Sequence, residues 1–216
     1  MTNTASERPA VLRADGLVFG YAKPALFNGL SLSLLPGVTW IGGDESTGKT
    51  TLLRLLAAEL SAKSGTLQVN GVPLNAQQVQ AYQREVFWVD PRTQAFDALT
   101  PQAYWDGVRK RYPAFADRLL ADLIEGLGLT PHVPKSLYML STGTRRKVYL
   151  AAALASGAAV TLLDEPFAAL DKASIAVVLE LLQAAADHPS RAWVVADYVA
   201  PPGVVLAGTV ELRPLA

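Results

Sequence analysis

The chain has 216 residues, half of them hydrophobic and 18% charged, a composition able to bury a sizeable core in one large domain or a domain with an inserted lobe. Its 19 Lys and Arg balance 19 Asp and Glu, so no net basic field exists to hold nucleic acid or an anionic membrane surface, and nucleic acid is not an expected partner. The lack of cysteine excludes disulfides, thiolate metal sites and cysteine nucleophiles.

The polar opening "MTNTASERPA" lacks the apolar core of a signal peptide and predicts a disordered tail over residues 1–10 of a cytoplasmic protein. "AVLRADGLVFGY" and "SLSLLPGVTWIGG" alternate apolar and polar residues as strands do. "TLLRLLAAEL" carries leucines at helical spacing, and "GTLQVNGVPL" reads as a hairpin turning at Asn70-Gly71. "EVFWVD" is a short apolar strand. A helical block over about 95–150, interrupted by prolines, reads as an inserted lobe, with one helix starting near Arg145. The apolar run from Val148 to Leu163 is too short and too rich in small residues for a membrane span. It predicts a helix, a turn at Gly157 and a buried strand ending in "LLDE". A helix through "ASIAVVLELLQAAAD", a strand "AWVVAD" and a final hairpin around Gly208 complete the reading. Strands alternating with helices predict an α/β fold with a mostly parallel sheet.

"WIGGDESTGKTT" contains G-x-x-x-x-G-K-[ST] between an apolar strand and a helix. Such a loop wraps phosphates with inward-pointing N–H groups, and the helix start adds its partial positive charge. The expected nucleotide contacts are therefore Gly43, Asp44, Glu45, Ser46, Thr47, Gly48, Lys49, Thr50 and Thr51. Lys49 reaches the terminal phosphates and the Thr50 hydroxyl can ligate Mg²⁺. Asp44 and Glu45 are odd residues for an anion site. Backbone donors carry the binding, so these side chains can point away.

Downstream, the strand "AVTLLDEP" ends in Asp164, a candidate Mg²⁺ carboxylate, and Glu165, a candidate general base for an attacking water. "LSTGTRRK" stands directly before a helix. Ser141, Thr142 and Gly143 there offer a hydroxyl and backbone donors as a second anion site. Two such sites fit a dimer that grips each ATP between the loop of one subunit and this motif of the other.

In these motifs the chain resembles the ATP-binding subunit of an ABC transporter, from about Val11 to Leu206. Gly43–Thr51 resembles Walker A, Leu140–Thr144 the signature "LSGGQ", Leu162–Glu165 Walker B, and Ala168–Asp171 the D-loop. The resemblance implies a P-loop NTPase core, an antiparallel β subdomain and an inserted helical lobe, all in a single ATP-binding domain over 1–216. It implies ATP and Mg²⁺ as ligands and Tyr21 stacked on adenine. It implies a homodimer or pairing with a second ATP-binding subunit. It also implies a separately encoded transmembrane permease that holds the protein at the inner face of the membrane. Several positions depart from the family. Thr142 and Thr144 stand in the signature, Ser46 replaces a Walker A glycine, and Ala168 replaces the D-loop serine that Glu45 would face across a dimer. Asp90 stands where a glutamine ligates Mg²⁺, with Gln94 nearby, and Asp197 stands where a catalytic histidine ends its strand. The expectation is an ATPase slowed at these two positions. The alternative is a weakly hydrolysing regulator that uses ATP-driven dimerisation as a switch.

Overall fold

A computed structural model describes residues 9–213. Most of the expected N-terminal tail, residues 1–8, lies outside the described residues.

The strands form two sheets. Leu12–Phe19 (β1), Phe27–Leu34 (β2), Ser64–Val69 (β4) and Val72–Pro73 (β5) make an antiparallel sheet in the order β2-β1-β4-β5. Gly37–Gly42 (β3), Val86–Phe87 (β6), Val160–Asp164 (β7), Ala192–Ala196 (β8) and Leu206–Glu211 (β9) make a parallel sheet in the order β6-β7-β8-β3-β9. The run "SLSLLPGVTWIGG" is thus two strands in two sheets. Pro36 lacks the N–H a ladder needs, and Gly37 takes φ 111°, where an added Cβ would meet the Ala186 carbonyl at 2.6 Å. The Asn70-Gly71 hairpin forms as expected, with both turn residues at positive φ.

The central strands β7 and β8 are buried along their whole length, as parallel strands covered on both faces must be. Their side chains divide between two cores. Leu163, Trp193 and Val195 face helices Pro101–Arg111 (α3), Asp117–Gly126 (α4), Thr142–Ala155 (α5) and Lys172–Ala185 (α6). Leu162 and Val194 face Lys49–Leu56 (α1) and the antiparallel sheet. The period of two along each strand sets this division.

Four expectations need correction. The C-terminal hairpin around Gly208 is instead one strand, β9, parallel to β3. Gly208 sits inside that strand, opposite Thr39 in the ladder, and makes no turn. The helical lobe begins at α3, because Pro101 sits at the first helical position and Thr100 caps it, its side chain accepting from Ala103 N–H. The helix placed near Arg145 starts three residues earlier, where Ser141 Oγ accepts from Thr144 N–H at 3.2 Å. A short helix, Val79–Glu85 (α2), went unread because its only buried residue is Tyr82. The apolar run from Val148 to Leu163 forms the expected helix, turn and strand, with Gly157 at φ 72° between α5 and β7. Among the described residues no helix is long and apolar enough to cross a membrane.

Candidate functional site

The phosphate loop joins β3 to α1. Gly48 precedes the helix at φ 97°, and an added Cβ at Gly43 would meet Thr47 Oγ1 at 2.5 Å and the Leu212 carbonyl at 2.8 Å. Ser46 adopts φ 62°, a left-handed conformation that costs a residue with a Cβ about 1–2 kcal/mol. Buried Lys49 donates from Nζ to the carbonyls of Gly43 (2.6 Å) and Asp44 (2.9 Å). The Thr47 hydroxyl donates to Asp44 O at 2.8 Å. Asp44 therefore serves the loop through its backbone. Its exposed side chain is not part of the cavity lining, whereas that of Glu45 is.

That cavity, about 720 Å³, is lined by the loop from Glu45 to Thr51, by Tyr21, Lys23 and Leu26 on one side, and by Arg92, Glu165 and Tyr198 on another. Tyr21 is 69% exposed, with its hydroxyl 3.5 Å from Thr51 Oγ1 and its ring edge-on to Phe19. An exposed ring at the mouth of a polar cavity is free to stack on a planar base.

At the other end, Thr50 Oγ1 donates to Asp164 Oδ2 at 2.7 Å. Burial pushes the Asp164 carboxyl up, against the Thr50 hydrogen bond that pulls it down. A hydroxyl and a carboxylate side by side are the hard oxygen donors Mg²⁺ takes, with its remaining positions left to phosphate oxygens and water. Among the described residues no cluster of three or more His, Cys, Asp or Glu forms a metal cage, so such an ion would depend on ligand oxygens. Glu165 has φ 45°, a strained conformation held from two sides. Its N–H donates to Ala196 O at 2.8 Å, and buried Arg146 donates to its carbonyl.

Asp197 ends β8, the neighbour of β3. Its N–H donates to Ile41 O (3.1 Å), and its carbonyl accepts from Trp40 Nε1 (3.1 Å). Its carboxylate accepts from Tyr198 N–H at 2.7 Å, while burial pushes the carboxyl up. Tyr198, not Asp197, lines the cavity, with its ring 4.1 Å from Lys49 Nζ. Asp90 lies near enough for its charge to act on Asp164, but its carboxylate has no hydrogen bond to Thr50. Its Oδ1 accepts from Arg92 N–H at 2.8 Å, and it lines a neighbouring groove. Gln94 is exposed in the turns that follow.

Ser141 and Thr142 are exposed at the start of α5, and neither they nor Gly143 line the cavity. An added Cβ at Gly143 would meet the Ala169 carbonyl at 2.4 Å, so this segment packs directly on the 168–171 loop. One turn further, Lys147 Nζ donates to Asp171 Oδ2 at 2.5 Å, and Lys147 holds the Asp171 carboxyl well below the usual carboxylate range. The sequence reading missed Arg92, Arg146 and Tyr198. Each lies within a few residues of a recognised motif, but only the fold brings it to the site, Arg92 and Tyr198 as exposed parts of the cavity wall and Arg146 buried behind it.

A phosphate loop at the end of an inner strand of a parallel sheet, beside a strand-end Asp-Glu pair, defines a P-loop nucleoside triphosphatase. The profile of the ABC transporter family matches residues 27–168, and the chain belongs to that family. It is 32% identical over 171 residues to the cytochrome c biogenesis ATP-binding export protein CcmA of Pseudomonas fluorescens, covering 79% of each chain. It is 37% identical over 161 residues to the molybdenum import ATP-binding protein ModC of Aromatoleum aromaticum, covering 71% of this chain and 43% of that one. The solved ATP-binding subunit of an ABC transporter superposes with TM-score 0.79 at 19% identity, over 88% of this chain and 80% of that chain. A dimeric ATP-binding cassette solved after hydrolysis with ADP and Pi gives TM-score 0.70 at 16% identity, over 87% and 88%. The protein is an ATP-binding subunit of the ABC type, an ATPase class that energises transport.

Proposed function

We propose that the protein drives a separately encoded permease through an ATP-bound dimer with two shared sites. One observation supports this reading: Ser141 and Thr142 are exposed and, with Gly143, lie outside the cavity lining of their own chain, a position suited to a second subunit's nucleotide. In this arrangement the loop N–H groups and Lys49 bind the phosphates and Tyr21 stacks on adenine. Thr50 and Asp164 hold Mg²⁺, which offsets phosphate charge. Glu165 takes a proton from the attacking water. Ser141 and Gly143 of the second subunit close the site. The absence of native cysteine allows a clean test. A chain carrying both Ser46→Cys and Ser141→Cys should give a covalent dimer under mild oxidation with Mg-ATP and hardly any without nucleotide. Equal crosslinking in both conditions would reject the shared-site arrangement.

The permease would seat in the groove beside Asp90, about 460 Å³, between the parallel sheet and the helical lobe. Its lining includes Phe87, Trp88, Phe96, Leu99 and Tyr104, and the buried Trp88 Nε1 has no acceptor within the chain among the described residues. An apolar helix with one carbonyl or hydroxyl to offer fits this groove. It would hold the protein at the inner face of the membrane.

Hydrolysis by the isolated subunit should be slow. A histidine at the end of β8 could donate to the terminal phosphate, but Asp197 cannot when ionised. Two like charges about 4 Å apart repel by about 1 kcal/mol in water and about 4 kcal/mol at an effective dielectric of 20. A positioned acid–base group typically contributes about 10²–10⁴ in rate. The Asp197→His variant should therefore turn over faster in a phosphate-release assay, with ATP affinity changed less than kcat. A slower variant would show that Asp197 has a positive role of its own.

A further inference from the structure

The end of the cavity that would take the terminal phosphate is crowded with acid. Glu45 and Glu165 line the cavity, and Asp164 and Asp197 adjoin Glu165 closely enough that its charge raises both. Against these stand few cations. Lys49 is shared with two loop carbonyls, and Arg146 is buried with its guanidinium committed to the Glu165 carbonyl. Lys23 lines the side that holds Tyr21. A triphosphate would add several more negative charges at this point.

Arg92 is the remaining cation. It lines the same cavity as Lys49 and Glu165, and its guanidinium has no hydrogen bond or ion pair among the described residues. The turn that carries it is built. Asp90 Oδ1 accepts from Arg92 N–H at 2.8 Å, Pro91 fixes the intervening φ, and Asp90 O accepts from Thr93 N–H at 3.0 Å. Its charge is felt at Asp164 and Tyr198, which marks the end of the cavity it addresses.

We infer that Arg92 is a catalytic residue of this ATPase, binding the terminal phosphate of ATP in cis and stabilising its charge in the transition state. The inference rests on the ATPase reading above. Asp90 then acts as a positioning residue for the turn. In the reaction the water oxygen bonds to the γ-phosphorus while the bond to the β,γ-bridging oxygen breaks. One water proton passes to the Glu165 carboxylate, and ADP and inorganic phosphate leave. Arg92 exchanges no atoms. Its planar fork meets two phosphate oxygens at once, which a lysine cannot do. Arginines that reach a transferring phosphoryl group are worth about 10³–10⁵ in kcat.

The test compares ATP with ADP, since only ATP carries the phosphate Arg92 is held to touch. Fluorescent analogues of both are titrated with Mg²⁺ against wild type, Arg92→Ala and Arg92→Lys, and single-turnover phosphate release is followed for each. Arg92→Ala should bind ADP within about twofold of wild type, bind ATP about tenfold more weakly, and release phosphate at least about 100-fold more slowly. Arg92→Lys should recover part of the ATP affinity and less of the rate. Equal loss of ADP and ATP binding in Arg92→Ala would overturn the assignment, as would an unchanged rate and an unchanged ATP-to-ADP preference. Wild type that binds neither nucleotide would instead overturn the ATPase reading itself, and Arg92 with it.

Discussion

The Lys49→Ala variant is expected to lose tight ATP binding while keeping its fold. Lys49 is buried at the first residue of α1, and its Nζ already sits inside the loop on the Gly43 and Asp44 carbonyls. That position lets it reach outer phosphate oxygens without a large change of side-chain conformation. Each charge-assisted hydrogen bond is worth about 1.5–3 kcal/mol, so two such contacts amount to about 3–6 kcal/mol, or about 10²–10⁴ in affinity. Alanine suits the helix, and the loop keeps its shape through Gly48 and the Thr47–Asp44 bond. Equilibrium titration with a fluorescent ATP analogue measures the loss, and circular dichroism checks the fold. Unchanged affinity would remove the phosphate-loop reading.

The Glu165→Gln variant should separate binding from hydrolysis. Glutamine keeps the size of the side chain but cannot take the proton of the attacking water. The rate should fall by at least the 10²–10⁴ that a general base typically contributes, roughly speaking. The backbone holding position 165 would be undisturbed, because Ala196 and Arg146 bond its main chain and not its carboxylate. Trapped ATP should then favour the dimer, which size-exclusion chromatography with light scattering would detect. A variant that stays monomeric at saturating Mg-ATP would contradict the shared-site arrangement. One that still hydrolyses at the wild-type rate would remove Glu165 from its assigned role.

The motifs were legible because each combines a fixed spacing with a backbone demand. Gly43 and Gly48 are required by contacts and dihedrals that nearly any other residue would violate, and Lys49 and Thr50 follow them at a set spacing. Strand β8 announces itself as an unbroken apolar run, and β7 as a mostly apolar one ending in Asp164. The groups that sequence could not supply depend on contacts between distant segments. Arg146 follows the signature by a few residues, yet its partner is a carbonyl at position 165. Arg92 faces the cavity because of a local turn, and Tyr198 because β8 runs beside β3. Asp90 enters the candidate Mg²⁺ set through the family resemblance alone, and its carboxylate here accepts from the Arg92 N–H of its own loop. Periodicity also misjudged β9, since an edge strand with a central glycine looks like a turn.

The order of the parallel sheet has a bearing on how the chain comes to life. Strand β3, which presents the phosphate loop, is translated well before its two lateral neighbours, β8 and β9, both beyond residue 191. Until they emerge, residues 37–42 have no ladder on either side, and the Leu212 N–H that bonds Gly42 O at 2.8 Å does not yet exist. Pairings this distant in sequence close slowly, since loop entropy must be overcome before contacts form. The part of the sheet that carries the phosphate loop is therefore completed only once these later segments are in place. Bound nucleotide then stabilises these long-range pairings by mass action.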